Sequence, residues 1–251
     1  MIHLGHNRSA QEIVDAAIQE DVQGVAVSCY QGGHSELFPY IRELLDERGC
    51  SEVMIFGGGG GVVLPQEIEA IEKKGTCKIY SPEDGQKLGL DGVIGHVLYN
   101  SDFAYTDWAQ RKMHPTSYLA RAFTLLENSL SSFESLALPP VQKDIPVLGI
   151  TGTGGAVKSS LLDELLLRFL EDFPSLGIGV ICVDPSKKKT GGALLGDRLR
   201  INSCTNGRVF LRSFATRGSG KEVTQVSDDA VRLFKAQNFD FIIVETSGIG
   251  H

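Results

Sequence analysis

Twice along this chain, short apolar runs alternate with amphipathic stretches, and that rhythm restricts the fold more than any other feature. Ile2–Leu4, Val22–Cys29, Glu52–Phe56 and Cys77–Ser81 read as strands, with Ser9–Glu20, Ser35–Arg48, Pro65–Lys73 and Gly85–Tyr99 as the helices after them. Strands separated by helices pair in parallel through crossovers, so the pattern predicts an α/β protein rather than a sandwich or a bundle. Ser9, with Glu12 three positions on, predicts a capping box on the first helix, and Pro65 opens the third. The rhythm stops between Asn100 and Asp144, where a helical stretch over Tyr118–Leu130 is followed by a connection marked by Pro139 and Pro140. It resumes as Pro146–Ile150, Lys158–Glu171, Gly179–Val183, Arg208–Phe214, Asp228–Gln237 and Phe239–Val244. The expected organisation is two doubly wound units over residues 1–100 and 145–251, joined by a helical linker over residues 101–144. Each unit has fewer strands than such a fold ordinarily needs, which predicts a piece of a longer protein.

Charge narrows the class of partner. With 24 Lys and Arg against 31 Asp and Glu, the net charge of -7 argues against broad, salt-driven binding to nucleic acid or to an anionic membrane surface. No run approaches the length of a membrane span, and the first residues do not resemble a secretion signal, so the expected location is the cytoplasm. Cys29, Cys50, Cys77, Cys182 and Cys204 are odd in number and form no C-x-x-C pair, which reads as reduced, mostly buried thiols.

The strongest local signal follows the strand Pro146–Ile150. Gly152-Thr153-Gly154-Gly155-Ala156-Val157-Lys158-Ser159-Ser160 leads into a helix whose Leu161, Leu162, Leu165, Leu166 and Phe169 share a face. A strand, a glycine-rich turn and a helix are the context of a phosphate-binding loop. Backbone amides and the helix dipole surround a phosphate, Lys158 reaches the outer phosphates, and Ser159 ligates Mg²⁺. The pattern G-x-x-x-x-G-K-[ST] is met at Gly152, Lys158 and Ser159, but Val157 stands where the second glycine belongs. A β-branched residue needing φ > 0 carries strain of order 1 to 3 kcal/mol, so this loop is expected to bind nucleotide more weakly than one with glycine. Asp184 and Glu245 end strands, where α/β sheets place their ligands and where a hard divalent cation finds oxygen donors. Lys187-Lys188-Lys189 reads as a solvated loop.

Longer segments carry a resemblance. Val183-Asp184-Pro185-Ser186 through Gly196-Asp197-Arg198-Leu199-Arg200-Ile201-Asn202 closely resembles the switch region of the G-protein chaperones of cobalamin-dependent acyl-CoA mutases, and Val244-Glu245-Thr246-Ser247-Gly248-Ile249-Gly250 resembles their second switch. The resemblance implies a nucleotide site of Gly155, Ala156, Val157, Lys158, Ser159, Ser160 and Arg200, with Lys158 catalytic. It further implies Mg²⁺ held by Ser159, Val183, Asp184, Asp197, Glu245 and Thr246. Gly5-His6-Asn7-Arg8-Ser9, Ser28-Cys29-Tyr30-Gln31-Gly32-Gly33-His34, Phe56 to Gly61 and Tyr80-Ser81-Pro82-Glu83-Asp84-Gly85 resemble the Rossmann-like cobalamin-binding domain of the mutases, incomplete at its N-terminus. In that family Ser28 and Gly58, Gly59 and Gly60 would line the slot for the cofactor's nucleotide tail. The D-x-H-x-x-G motif of the cobalt ligand is absent, and none of His3, His6, His34, His96, His114 and His251 stands in one.

A cobalamin domain followed by a P-loop G domain, here incomplete at its C-terminus, is the order of the fused isobutyryl-CoA mutases. That likeness implies adenosylcobalamin, GTP and Mg²⁺ as cofactors, a mutase barrel and an acyl-CoA as partners, and a homodimer. The implied activity is interconversion of isobutyryl-CoA and butyryl-CoA, gated by a GTPase. Two other readings stay open: an adaptor or chaperone whose Val157 has weakened hydrolysis, and an ATP-dependent enzyme on the same scaffold.

Overall fold

A computed structural model describes residues 1–30, 32–59, 62–103, 114–128, 133–136, 138, 144–153, 155–185, 195–205, 207–216 and 220–246, with the side chains at 134, 184, 185, 205, 216 and 220–226 left aside. The chain divides into two compact units, Ser9–Tyr118 on one side and Met1–Arg8 with Leu119–His251 on the other.

In the first unit, α1 (Ala10–Gln19), β1 (Gly24–Ser28), α2 (His34–Glu47), β2 (Met54–Gly58), α3 (Pro65–Glu72), β3 (Lys78–Tyr80) and α4 (Pro82–Ser101) follow one another. The Ser9 side chain accepts from the Glu12 amide while Glu12 returns to the Ser9 amide at 2.8 Å, the capping box expected from the sequence. The three strands are parallel and lie in chain order, β1-β2-β3, so no reversal of winding occurs among them. This differs from the doubly wound arrangement expected. The expected first strand, Ile2–Leu4, does not join this sheet: Ile2 forms one isolated parallel bridge with Leu195 in the other unit. Phe38, Ile41, Leu45, Ile55, Phe56, Ile71 and Ile79 are fully buried and form the core. α4 departs from the single helix that the sequence suggests, because Gly89 (φ 65°, ψ 176°) breaks it and none of its residues is buried.

The second unit carries α5 (Pro115–Glu127), whose last nine residues belong to it, then β4 (Val147–Ile150), α6 (Lys158–Asp172), β5 (Ile178–Pro185), β6 (Val209–Thr216), α7 (Gly220–Ala236) and β7 (Phe241–Thr246). Its sheet is parallel in the order β4-β7-β5-β6. The chain steps two places from β4 to β5 and two places back from β6 to β7. Right-handed crossovers in opposite directions put α6 and α7 on opposite faces. Side-chain alternation agrees: Ile178, Val180, Cys182, Val209 and Leu211 pack with Leu162, Leu166 and Leu170 of α6. Gly179 faces the Phe234 ring of α7, which a Cβ there would meet at 2.8 Å, and Phe210 stacks against Phe123 and Phe234. β4 and β7 are neighbours, which brings the turn after β4 beside the end of β7. The proline-marked connection expected near residue 140 lies mostly outside the described residues.

Candidate functional site

The turn after β4 has the backbone that a phosphate-binding loop requires. Gly152 (φ 152°) and Gly155 (φ 81°) hold conformations that favour glycine. Val157 does too: at φ 57° and ψ 22° it is the left-handed N-cap of α6, with its side chain 66% exposed. A turn that ends in this conformation aims the first amides of α6 away from the helix and toward whatever the loop encloses. Gly155 and Ala156 are exposed along the turn, and Ser160 is exposed on the first turn of α6. Lys158 Nζ donates to the carbonyls of Gly152 at 3.0 Å and Thr153 at 3.1 Å, folding over the rim of the turn.

The next residue reaches β7. Ser159, 7% exposed, donates from Oγ to Glu245 Oε1 at 2.8 Å, and Glu245 is 6% exposed. Cys182 Sγ lies 3.9 Å from Glu245 Oε2. Thr246 Oγ1 is 3.1 Å from Thr151 Oγ1, tying the end of β7 to the start of the turn. Burial pushes the Glu245 carboxyl above the ordinary carboxylate range, and the negative charge of Asp197 adds to the shift. The Ser159 hydroxyl and the Arg200 and Lys158 cations pull it back.

Asp197 opens a short helical turn, Asp197–Leu199, and is 4% exposed. Its Oδ1 accepts from Arg200 Nη2 at 2.9 Å, while Oδ2 is buried with no hydrogen-bond partner among the described residues. An orphaned carboxylate oxygen beside a second buried carboxylate is a site where a cation fits. Among the described residues no three His, Cys, Asp or Glu side chains cluster tightly enough to hold a metal alone. Mg²⁺ suits that arrangement, since it is commonly held by one or two carboxylates, waters and substrate phosphates rather than by a full protein cage. Ser159, Asp197 and Glu245 are the side chains that would hold it.

The structure thus gathers Lys158, Ser159, Asp197, Arg200, Glu245 and Thr246 around one end of the parallel sheet. Val183 is buried in β5 beside Thr246 in register. The Asp184 side chain, the lysine run and the second-switch residues 247–250 lie outside the described set. Arg200, expected at the nucleotide, is paired with Asp197. Sequence inspection missed Thr151, although its place between the strand and the first glycine of the turn was a signal.

In the first unit, Ser28 and Gly58 are paired in register at the carboxyl ends of β1 and β2. A Cβ on Gly58 would meet Tyr80 O at 3.7 Å, an ordinary contact, and nothing nearer among the described residues, so a small side chain fits there without a clash. Gly59 differs from expectation: a Cβ there would run into the Cys29 carbonyl, so its bareness answers to this chain's own backbone. Gly60 lies outside the described residues. Gly32 and Gly33, both left-handed, have nothing within 4 Å of a Cβ position.

Comparison with known proteins follows the same division. Fused isobutyryl-CoA mutase of Geobacillus kaustophilus is 51% identical over the whole chain, that of Cupriavidus metallidurans 49%, and both alignments span 24% of the relative. The chain therefore covers about a quarter of the length of these relatives. A putative GTPase of Pyrococcus horikoshii is 42% identical over 53% of this chain and 42% of its own length. The family described as methylmalonyl Co-A mutase-associated GTPase MeaB matches residues 119–251, beginning where the second unit resumes after its N-terminal strap. With the glycine-rich turn, the Ser159–Glu245 pair and the Asp197 oxygen that lacks a partner among the described residues all inside that match, the chain belongs to the family of mutase-associated GTPases.

Proposed function

We propose that residues 119–251 bind GTP with Mg²⁺ and hydrolyse it, and that residues 9–118 hold the nucleotide tail of a cobalamin. The observation that carries the first half is the buried Ser159–Glu245 hydrogen bond beside Asp197, whose Oδ2 has no partner among the described residues. Lys158 leaves the Gly152 and Thr153 carbonyls to neutralise the outer phosphates, and the α6 amides receive the inner ones. Ser159 Oγ, Asp197 and Glu245 are the groups that would hold the cation. Arg200 and Asp197, on one short turn, respond together when charge on the terminal phosphate changes. Mg²⁺ supplies charge neutralisation across the phosphates when bound.

The second half rests on the Ser28–Gly58 register at the carboxyl ends of β1 and β2 and on the absence of any clash for a Cβ at Gly58 among the described residues. Adenosylcobalamin supplies radical initiation when bound, the step that a protein's own side chains do not provide. In a protein organised like the fused relatives, the partners are a mutase barrel and an acyl-CoA, the reaction interconverts isobutyryl-CoA and butyryl-CoA, and the GTPase gates cofactor loading. The setting is cytoplasmic and the assembly a homodimer. Among the described residues no helix is long and apolar enough to cross a membrane.

Release of phosphate from GTP and from ATP, with and without Mg²⁺, tests the nucleotide assignment against a Lys158→Ala control. Mg²⁺-dependent turnover of GTP above that control supports it, and faster turnover of ATP overturns the base assignment. Tight GTP binding with no turnover favours a non-hydrolysing adaptor, the second reading that the strained, exposed Val157 supports.

A further inference from the structure

Two loops frame the open end of the first sheet, and one side-chain pair joins them. The turn between β1 and α2 runs from Cys29 to Gly33, and the turn between β2 and α3 runs from Gly59 to Leu64. Each has its own local bonds: Cys29 Sγ donates to Gly32 O at 3.2 Å, and the Val62 amide donates to Gly59 O at 3.3 Å. The Cys29 amide also donates to Gly58 O at 2.8 Å, but that bond lies at the base of the turns and continues the sheet ladder. Farther out, His34 Nε2 lies 3.1 Å from Glu67 Oε2. His34 is the first residue of α2, and Glu67 lies in the first turn of α3. The same Glu67 oxygen accepts the Leu64 amide at 2.8 Å, so one carboxylate fixes the end of its own loop and the start of the neighbouring helix.

His34 is a costly choice for a merely space-filling position. It is 6% exposed, and its Nδ1 is buried without a hydrogen-bond partner among the described residues. An apolar side chain would fill the space with no orphaned ring nitrogen. What His34 adds is a rigid ring with a donor aimed at Glu67. Gly32 and Gly33, in left-handed conformations with no neighbour within 4 Å of a Cβ position, give the turn before it little stiffness of its own.

We propose that His34 and Glu67 latch the starts of α2 and α3, and with them the two turns that follow Ser28 and Gly58, making His34 a positioning residue for the cofactor tail that binds there. The inference deepens the cobalamin assignment and rests on it for the identity of the occupant, whereas the latch itself does not.

The test compares His34→Leu and Glu67→Ala with Glu67→Gln, which keeps an acceptor for both the Leu64 amide and the imidazole. Amide hydrogen exchange is read at Tyr30, Gly32, Gly33, Val62 and Val63, with Ile55 and Phe56 in β2 as internal controls for folding. Both disruptive variants are expected to speed exchange in both turns by about tenfold, with β2 unchanged and Glu67→Gln close to wild type. Titration with aquocobalamin, followed by its absorbance, is expected to show about tenfold weaker binding for the same two variants. Unchanged exchange, or exchange that rises in only one turn, overturns the latch. If exchange rises in both turns while aquocobalamin binds all forms equally, the positioning role is overturned. Wild-type protein that binds no aquocobalamin overturns the cofactor assignment, and the exchange data still decide the latch. Should His34→Leu also lose protection in β2, His34→Phe, which keeps a ring and removes the donor, takes its place: faster exchange in both turns with β2 unchanged is the expected result, and wild-type exchange overturns the latch.

Discussion

Replacing Val157 with glycine should tighten nucleotide binding, and the structure sets the size of the effect. Val157 holds φ 57° and ψ 22°, a left-handed conformation costing a residue with a Cβ roughly 1–2 kcal/mol, with β-branched residues toward the upper end. Its side chain is 66% exposed, so packing offsets little of that cost. A loop under such strain spends part of its time in relaxed conformations that turn the first α6 amides away from a phosphate, and apparent affinity falls by the fraction of competent loop. Since about 1.4 kcal/mol is a factor of ten, relief of the strain predicts GTP binding in the presence of Mg²⁺ that is roughly five- to thirtyfold tighter.

Val157→Ala removes the β-branch but keeps the Cβ, so its gain should be smaller. The assay is displacement of a fluorescent guanine nucleotide from the three proteins, with thermal melting of the nucleotide-free forms alongside. Glycine costs about 0.5–1 kcal/mol through the unfolded chain, which partly cancels the strain relief, so the melts should differ little. Dissociation constants for Val157→Gly and wild type within about twofold of one another would refute the reasoning, because 1 kcal/mol of strain already corresponds to about fivefold.

Lys158→Ala should weaken GTP binding by at least about a hundredfold while leaving the melting temperature nearly unchanged, since among the described residues Nζ bonds to the Gly152 and Thr153 carbonyls at the exposed rim of the turn; equilibrium titration and a melt decide it. Glu245 has a folded pKa raised by burial, so its contribution to stability is full below the ordinary carboxylate range and is lost as pH rises through the raised value. Urea unfolding across that pH range should show the slope in wild type and a flatter curve in Glu245→Gln, while Mg²⁺-dependent GTP binding to wild type runs the other way and weakens as pH falls through the same value. Gly57→Ala should destabilise the protein by about 1–3 kcal/mol in urea, because its Cβ would strike the Phe38 ring and Ile79 Cδ1. Gly58→Ala should leave stability within about 0.5 kcal/mol of wild type and weaken aquocobalamin binding instead.

The elements were legible wherever local chemistry and periodicity agreed. Ser9 and Glu12 mark α1 because capping is a property of neighbouring residues, and the apolar stripe from Leu162 to Leu170 marks α6 because burial follows helical spacing. The run Ser81-Pro82-Glu83-Asp84 carries the same capping signal, and the Ser81 amide donates to Asp84 Oδ2 at 2.9 Å. The failures have tertiary causes. Ile2–Leu4 is a short apolar run that could pair with any open backbone edge, and it meets Leu195, far away in sequence. Asp197 and Glu245 were both named as cation ligands through a resemblance, yet nothing in their spacing says that Ser159 bonds one while the other keeps a bare oxygen. That follows from β4 and β7 being neighbours, a consequence of strand order that no local pattern encodes.

The glycine run after Phe56 shows the same limit at the scale of single residues. Five identical letters, Gly57 to Gly61, resemble one feature with one purpose. Along β2 successive residues face opposite sides of the sheet, so consecutive glycines meet different surroundings. Gly57 faces the core, where Phe38 and Ile79 occupy the space that a methyl group would need. Gly58 stands next to Ser28 in register, and a Cβ there would meet Tyr80 O at an ordinary 3.7 Å. Gly59 lies where the chain leaves the strand and passes the Cys29 carbonyl. The first demand is packing, the last is backbone clearance, and of these three the middle one alone takes a Cβ without a clash among the described residues. An alanine scan of these three positions therefore reads three different quantities. Losses of stability at Gly57 and Gly59, with a loss of cofactor binding at Gly58 alone, identify the position at which the cleft meets its occupant.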